Sequence, residues 1–188
     1  MSSNEPLGDR GRALESKFFH DREAEQIERL KTERAKDHAV AELSEITGMK
    51  DQAVLRKMVD LGVTPMTLTA FSIVPMLHVA WSDRVLDAAE RKSILLEATG
   101  SGLKSTSPGY HLLESWLTER PNPELFQAWR DFHTELSPHL SADEKTRLRE
   151  EMLAKAEKVA RASGGILGFA SVSSEERQAL SELQQILS

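Results

Sequence analysis

The sequence predicts an all-α fold, a compact bundle of eight or nine helices with an extended, charged helix at its amino-terminal end. Three observations carry that prediction. Helix caps and terminators recur from one end of the chain to the other. Between them, apolar residues return at spacings of three and four, the period of one helix face. No stretch shows the strict alternation of a half-buried strand. The 188 residues are 39% apolar and 29% charged, which suits a globular chain long enough to bury a core. A formal net charge of −6 disfavours general binding to nucleic acid or an anionic membrane. The absence of cysteine excludes disulfides, thiolate metal sites and a cysteine nucleophile.

The first helix is expected from a cap at Asp9, with Ala13, Leu14, Phe18, Ile27 and Leu30 as its apolar positions. Between His20 and His38, eleven of nineteen residues are charged, six acidic and five basic. A mostly solvated helix follows, supported by pairs such as Glu25 with Arg29 and Glu28 with Lys31. Ala39, Val40, Leu43 and Ile46 then restore a buried stripe that Gly48 terminates. Asp51 opens a short helix ended by Gly62, and Thr64-Pro65 reads as cap and first turn of an apolar helix over Leu68 to Trp81. That run of 14 residues is too short to span a bilayer, which takes roughly 18 to 20. Pro75 must kink or divide it.

Asp87 to Glu90 forms a capping-box start for a helix closed near Gly100 and Gly102. Ser107-Pro108 opens the next, and Pro121-Asn122-Pro123 separates it from a helix striped with Leu125, Phe126, Trp129, Phe132 and Leu136. Ser141 to Glu144 and Ser173 to Glu176 begin the last two helices, linked by a glycine-containing turn around Gly164, Gly165 and Gly168. The chain divides into a charged helical segment, residues 1–36, and a bundle, residues 37–188. The polar start, Met1 to Arg10, lacks the apolar core of an export signal, so a cytoplasmic location is expected.

Chemistry-bearing residues concentrate in one turn. Asp83, Asp87 and Glu90 are candidate oxygen ligands for calcium or another divalent cation. Equally, Asp87 and Glu90 suffice as a helix cap, with Asp83 turning the chain before it. Elsewhere the signals are structural. His133 and His139 are poorly spaced as metal ligands, His78 reads as a satisfied core histidine, and Trp81, Trp116 and Trp129 fall on apolar stripes. Basic residues on the Ser141 helix are interleaved with acids, against nucleic-acid binding. No nucleophile, phosphate loop or zinc-protease motif appears, so no enzymatic activity is expected.

Two resemblances add to this. The pattern Ala-x-x-Asp-x-x-Leu-Asp-x-x-Glu-Arg, set between apolar helices, resembles the TerB-like tellurite-resistance family over about residues 64–188. Asp83, Leu86, Asp87 and Glu90 match, while Arg84 stands where that family commonly has glycine. A weaker second copy of the device runs from Val159-Ala160 to Ser173–Glu176. The resemblance implies a helical module tied to stress response, with divalent-cation sensing and no defined reaction. At the other end, residues 9–21 are similar to the start of the zeta-type inhibitor subunit of ATP synthase, matching at Asp9, Arg10, Ala13, Glu15, Lys17, Phe18, His20 and Asp21. That similarity implies a segment inserting into the synthase head, with Arg10, Glu15, Lys17, Phe18, His20 and Asp21 facing the partner. The expectation is a non-enzymatic protein-interaction or stress-response regulator, the alternative an inhibitor of a rotary ATP synthase acting through the amino-terminal helix.

Overall fold

The structure, a computed structural model, describes residues 5–162 and 172–188, with side chains described from His20 onward. The side chains of Arg10, Glu15, Lys17 and Phe18, and the Gly164–Gly168 turn, lie outside the described residues. Among the described residues there are nine α-helices and no strand. The all-α fold expected from punctuation and periodicity is the observed one.

Helix α1 (Glu5–Thr47) is a single 43-residue helix. Its backbone starts before Asp9, which therefore lies inside the helix rather than capping it. It also runs unbroken through Lys36 and Asp37, so the expected change of character falls within one helix. From His20 to Ala35 every residue is exposed, and burial begins in earnest only at Val40 and Leu43. Those two pack toward α2 (Gln52–Asp60). Ile46, in the last turn of α1, departs from the expected buried stripe and is 60% exposed.

Where the free part of α1 meets the body, charge fixes it. Lys36 Nζ donates to Asp60 Oδ1 at 2.5 Å, and Arg56 of α2 donates to both Glu33 and Asp37. One guanidinium bridging two carboxylates one helical turn apart sets the rotation of α1 against α2. Farther out, Arg29–Glu25 at 2.8 Å and Lys31–Glu28 at 2.7 Å are exposed pairs along the helix itself, each worth only a few tenths of a kcal/mol.

Asp51 caps α2 by accepting from the amides of Ala53 and Val54 at 2.8 and 3.1 Å. Asp51→Ala is expected to lower stability by about 1 kcal/mol, measured as a reduced midpoint in urea. The helix ends at Gly62, whose φ of +84° suits glycine, and whose Cα faces the Leu112 side chain 3.6 Å from where a Cβ would stand. The next helix does not start at Thr64-Pro65 as expected. Those residues form a turn, and the Thr67 hydroxyl locks it, donating to Gly62 O at 2.8 Å and accepting from Thr64 N at 2.8 Å. The apolar run is then divided into α3 (Leu68–Phe71) and α4 (Val74–Ala80), with Pro75 in the first turn of α4. Its missing N–H costs nothing there.

Helix α4 is the hub. Six of its seven residues are buried, His78 being the half-buried exception. Around it pack α5 (Ala88–Gly100), α7 (Glu124–Leu136), α8 (Ala142–Ala160) and α9 (Ser174–Ile186). Helix α6 (Pro108–Thr118) closes against α3, and a 3-10 turn, Ser137–His139, joins α7 to α8. Ser107, Ser141 and Ser173 each cap their helices through the hydroxyl as the sequence predicts. Phe71, Ile73, Leu77, Ile94, Leu113 and Leu183 fill the centre, and Phe132 meets Phe71 edge-on at 5.8 Å and 77°. No helix among the described residues is long and apolar enough to cross a membrane.

Candidate functional site

The carboxylate turn is built by local hydrogen bonds. Helix α4 ends at Ala80, and Arg84 N donates back to Trp81 O at 3.1 Å. Asp83 Oδ1 accepts from Val85 N at 2.9 Å, closing an Asx-type turn. Asp87 Oδ1 then caps α5, accepting from Ala89 N and Glu90 N at 2.7 and 2.8 Å, while Glu90 Oε2 accepts from Asp87 N at 3.0 Å. All three candidate cation ligands are thus engaged by backbone amides of their own turn. Among the described residues no group of three carboxylate or imidazole side chains is gathered to hold a metal ion. The capping role is the one these atoms perform.

Arg84, which stands where the TerB-like pattern has glycine, adopts φ +73° and is the one non-glycine residue in the left-handed region among those described. The backbone therefore keeps a conformation in which a Cβ is strained, at a cost of about 1–2 kcal/mol. Part of that cost is offset because glycine loses more entropy on folding. Arg84→Gly is expected to stabilise the protein by roughly 0.5–1 kcal/mol, read as a rise in melting temperature. A fall would mean that the arginine side chain contributes more than its backbone strain.

The second copy of the device, Ser173 to Glu176, forms a matching capping box on α9: Glu176 Oε2 accepts from Ser173 N at 2.6 Å and Ser173 Oγ from Glu176 N at 3.0 Å. The fold then does something the two local patterns do not announce. It brings the capping glutamates of α5 and α9 within side-chain hydrogen-bonding reach of each other, each only 3% exposed. Burial, and then the neighbouring carboxyl of Glu176 together with the charge of Asp87, push the Glu90 carboxyl up to about 8, against the lowering effect of the Asp87 amide. Glu176 Oε1 is buried and meets no amide or hydroxyl donor. A proton on Glu90, which this environment favours, would give that oxygen a donor.

A different arrangement lies on the far face of α4. His78, Phe126, Trp129 and His133 form a column of near-parallel rings. Their centroids are 3.6, 5.7 and 5.5 Å apart and their planes within 11°. The last three occupy successive turns of α7, Phe126 and Trp129 on the stripe expected from the sequence and His133 beside it, whereas His78 comes from α4. His78 Nε2 is 3.2 Å from Glu182 Oε2 on α9. Burial lowers the His78 pKa, and the charge of Arg120 lowers it further, against the raising effect of Glu182. His133 is likewise lowered, by burial and by Lys145. Beside this column opens a cavity of roughly 200 Å3 bounded by α4, Leu125 and Phe126 of α7, and the loop Arg120–Pro123. Trp81 lines it too, with its indole N–H committed to Trp116 O at 3.0 Å.

The third feature is the free part of α1. His20 and Asp21, two of the residues expected to face a partner, are exposed on it, as are Ile27 at 52% and Leu30 at 60%. These residues lie far along the chain from the carboxylate turn, and the fold does not bring the two together into one site.

No protein-family model matches this chain, and comparison with curated proteins and with solved structures likewise found no match.

Proposed function

We propose that this protein is a non-enzymatic helical interaction module, a TerB-like stress-response regulator, which engages a protein partner with α1 as its docking arm. The observation that supports this reading is the unbroken exposure of His20 to Ala35 on a helix whose first tie to the body among the described side chains is Glu33, held by Arg56. An isolated charged helix gains little from its own surface pairs, so a helix of this length held away from its bundle is best accounted for by a use outside it. Ile27 and Leu30, solvent-exposed at helical spacing, are apolar anchors of the kind a partner groove takes. The carboxylate turn enters this reading as the scaffold that starts α5, since each of its carboxylates already accepts from backbone.

A second reading rests on the same arm. Residues 9–36, which cover the stretch resembling the zeta-type inhibitor, make the protein an inhibitor of a rotary ATP synthase. The exposed stretch from His20 favours it, because insertion into a catalytic head needs a helix unencumbered by its own bundle.

The test compares the full chain with one beginning at Asp37, in affinity capture and in ATP hydrolysis by a purified synthase head. Partners captured by the full chain alone support the docking arm. Inhibition of hydrolysis by the full chain and by a peptide of residues 9–36 supports the second reading. Identical partners on both chains would remove α1 from the function and move binding to the body.

A further inference from the structure

The cavity beside α4 carries a feature that none of the packing requires. Arg120 stands at its mouth, exposed, and its charge is felt at His78 in the floor. Glu119 and Glu124 flank it along the chain, and Glu182 is engaged by His78. Yet Arg120 forms no ion pair among the described residues. An unpaired guanidinium over an apolar cavity is complementary to a ligand with both an apolar body and an anionic head.

We propose that this pocket binds a small aromatic carboxylate, with its ring against Trp81, Phe126 and Pro121 and its carboxylate on Arg120. The volume sets the scale. An apolar cavity of about 150 Å3 accepts benzene, so roughly 200 Å3 holds one ring with a short carboxylate arm and excludes a larger cofactor. The chemistry of the walls narrows the class. Inorganic anions leave the partly exposed Trp81, Phe126 and Pro121 uncovered, and a neutral ring leaves the guanidinium unpaired. His78, whose pKa burial lowers, is stacked on Phe126 at 3.6 Å, so the floor of the pocket is aromatic. Pro121 and Pro123 bracket Asn122 in the lip and hold its backbone dihedrals, a pre-formed edge of the kind small-ligand sites use. The inference is independent of α1 and stands or falls apart from the docking arm.

Titrating the full-length protein with phenylacetate, 2-phenylacetamide and acetate tests it, by calorimetry and by the indole N–H signal of Trp81. Phenylacetate should bind with a Kd on the order of 1 mM and shift the Trp81 signal. The amide should bind at least tenfold more weakly, and acetate should leave Trp81 unmoved. Arg120→Met should abolish the preference for the acid over the amide, while Arg120→Lys keeps part of it. Arg120 is exposed, so unchanged melting temperatures verify that both variants are folded. Equal binding of acid and amide, an Arg120→Met variant that binds phenylacetate normally, or shifts that bypass Trp81 would each overturn the assignment. So would the failure of phenylacetate to bind at millimolar concentration.

Discussion

Replacing Glu90 with glutamine raises the melting temperature at pH 9 by roughly 5–10 °C and leaves it nearly unchanged at pH 4. The sign follows from the buried pair. The Glu90 carboxyl, near its ordinary value in the unfolded chain, is pushed up to about 8 in the folded one. Between about 4.5 and 8 the folded protein therefore holds a proton that the unfolded chain has released. Stability contributed by this group is full below that window and falls as pH rises through it. Above pH 8 the loss is complete, on the order of 2–4 kcal/mol. Glutamine avoids that loss and keeps the geometry: its carbonyl accepts from Asp87 N, and its amide donates to Glu176. Thermal melts of both proteins across pH 4 to 9 check this. A Glu90→Gln variant destabilised equally at both ends would show that the pair does not share a proton and that the side chain serves as a cap alone.

Leu43→Ala and Leu30→Ala, two substitutions of one kind on one helix, are expected to differ by several kcal/mol. Leu43 is fully buried where α1 packs on α2, and its truncation should cost about 2–5 kcal/mol through lost burial and the cavity left behind. Leu30 is 60% exposed, and alanine there should change stability by no more than about 0.5 kcal/mol. Urea denaturation followed by tryptophan fluorescence reads both, because all three tryptophans lie in the body. Comparable losses at the two positions would place the outer part of α1 against the bundle and remove the physical basis for a docking arm. A large loss at Leu43 alone fixes the root of the arm near Val40.

The caps at Asp51, Asp87, Ser107, Ser141 and Ser173 were legible in the sequence because each is a contact between residues two or three apart. The all-α class follows from the same local chemistry. What escaped was set by the angles at which helices cross. His78 meets Glu182 across 104 residues, and no periodicity within either helix marks the pair. Glu90 and Glu176 are each readable as an ordinary capping glutamate. Their meeting depends on how α5 and α9 lie, and the weak repeat of the capping pattern was the only sequence signal pointing to it. Ile46 misled because apolar periodicity reports which residues share a face, not whether a neighbouring helix covers it. Arg120 carried no signal at all, since an exposed arginine after a helix is commonplace until a cavity is found beneath it.

The ion pairs of Arg56 and Lys36 at the root of α1 have a mechanical consequence. From Glu5 to Ala35 the helix extends for about 45 Å at 1.5 Å per residue. With its pivot beside Arg56, it is a lever whose stretch from His20 to Ala35 is exposed to solvent. A tilt of about 5° at the pivot carries the tip through roughly 4 Å. Run in reverse, a displacement of several ångströms imposed on the tip reaches α2 as a rotation small enough for Arg56 to keep hold of both Glu33 and Asp37. Under the docking-arm proposal, a partner holding the far end would therefore be coupled to the bundle through a reduction gear, a large excursion outside arriving at the core as a small one.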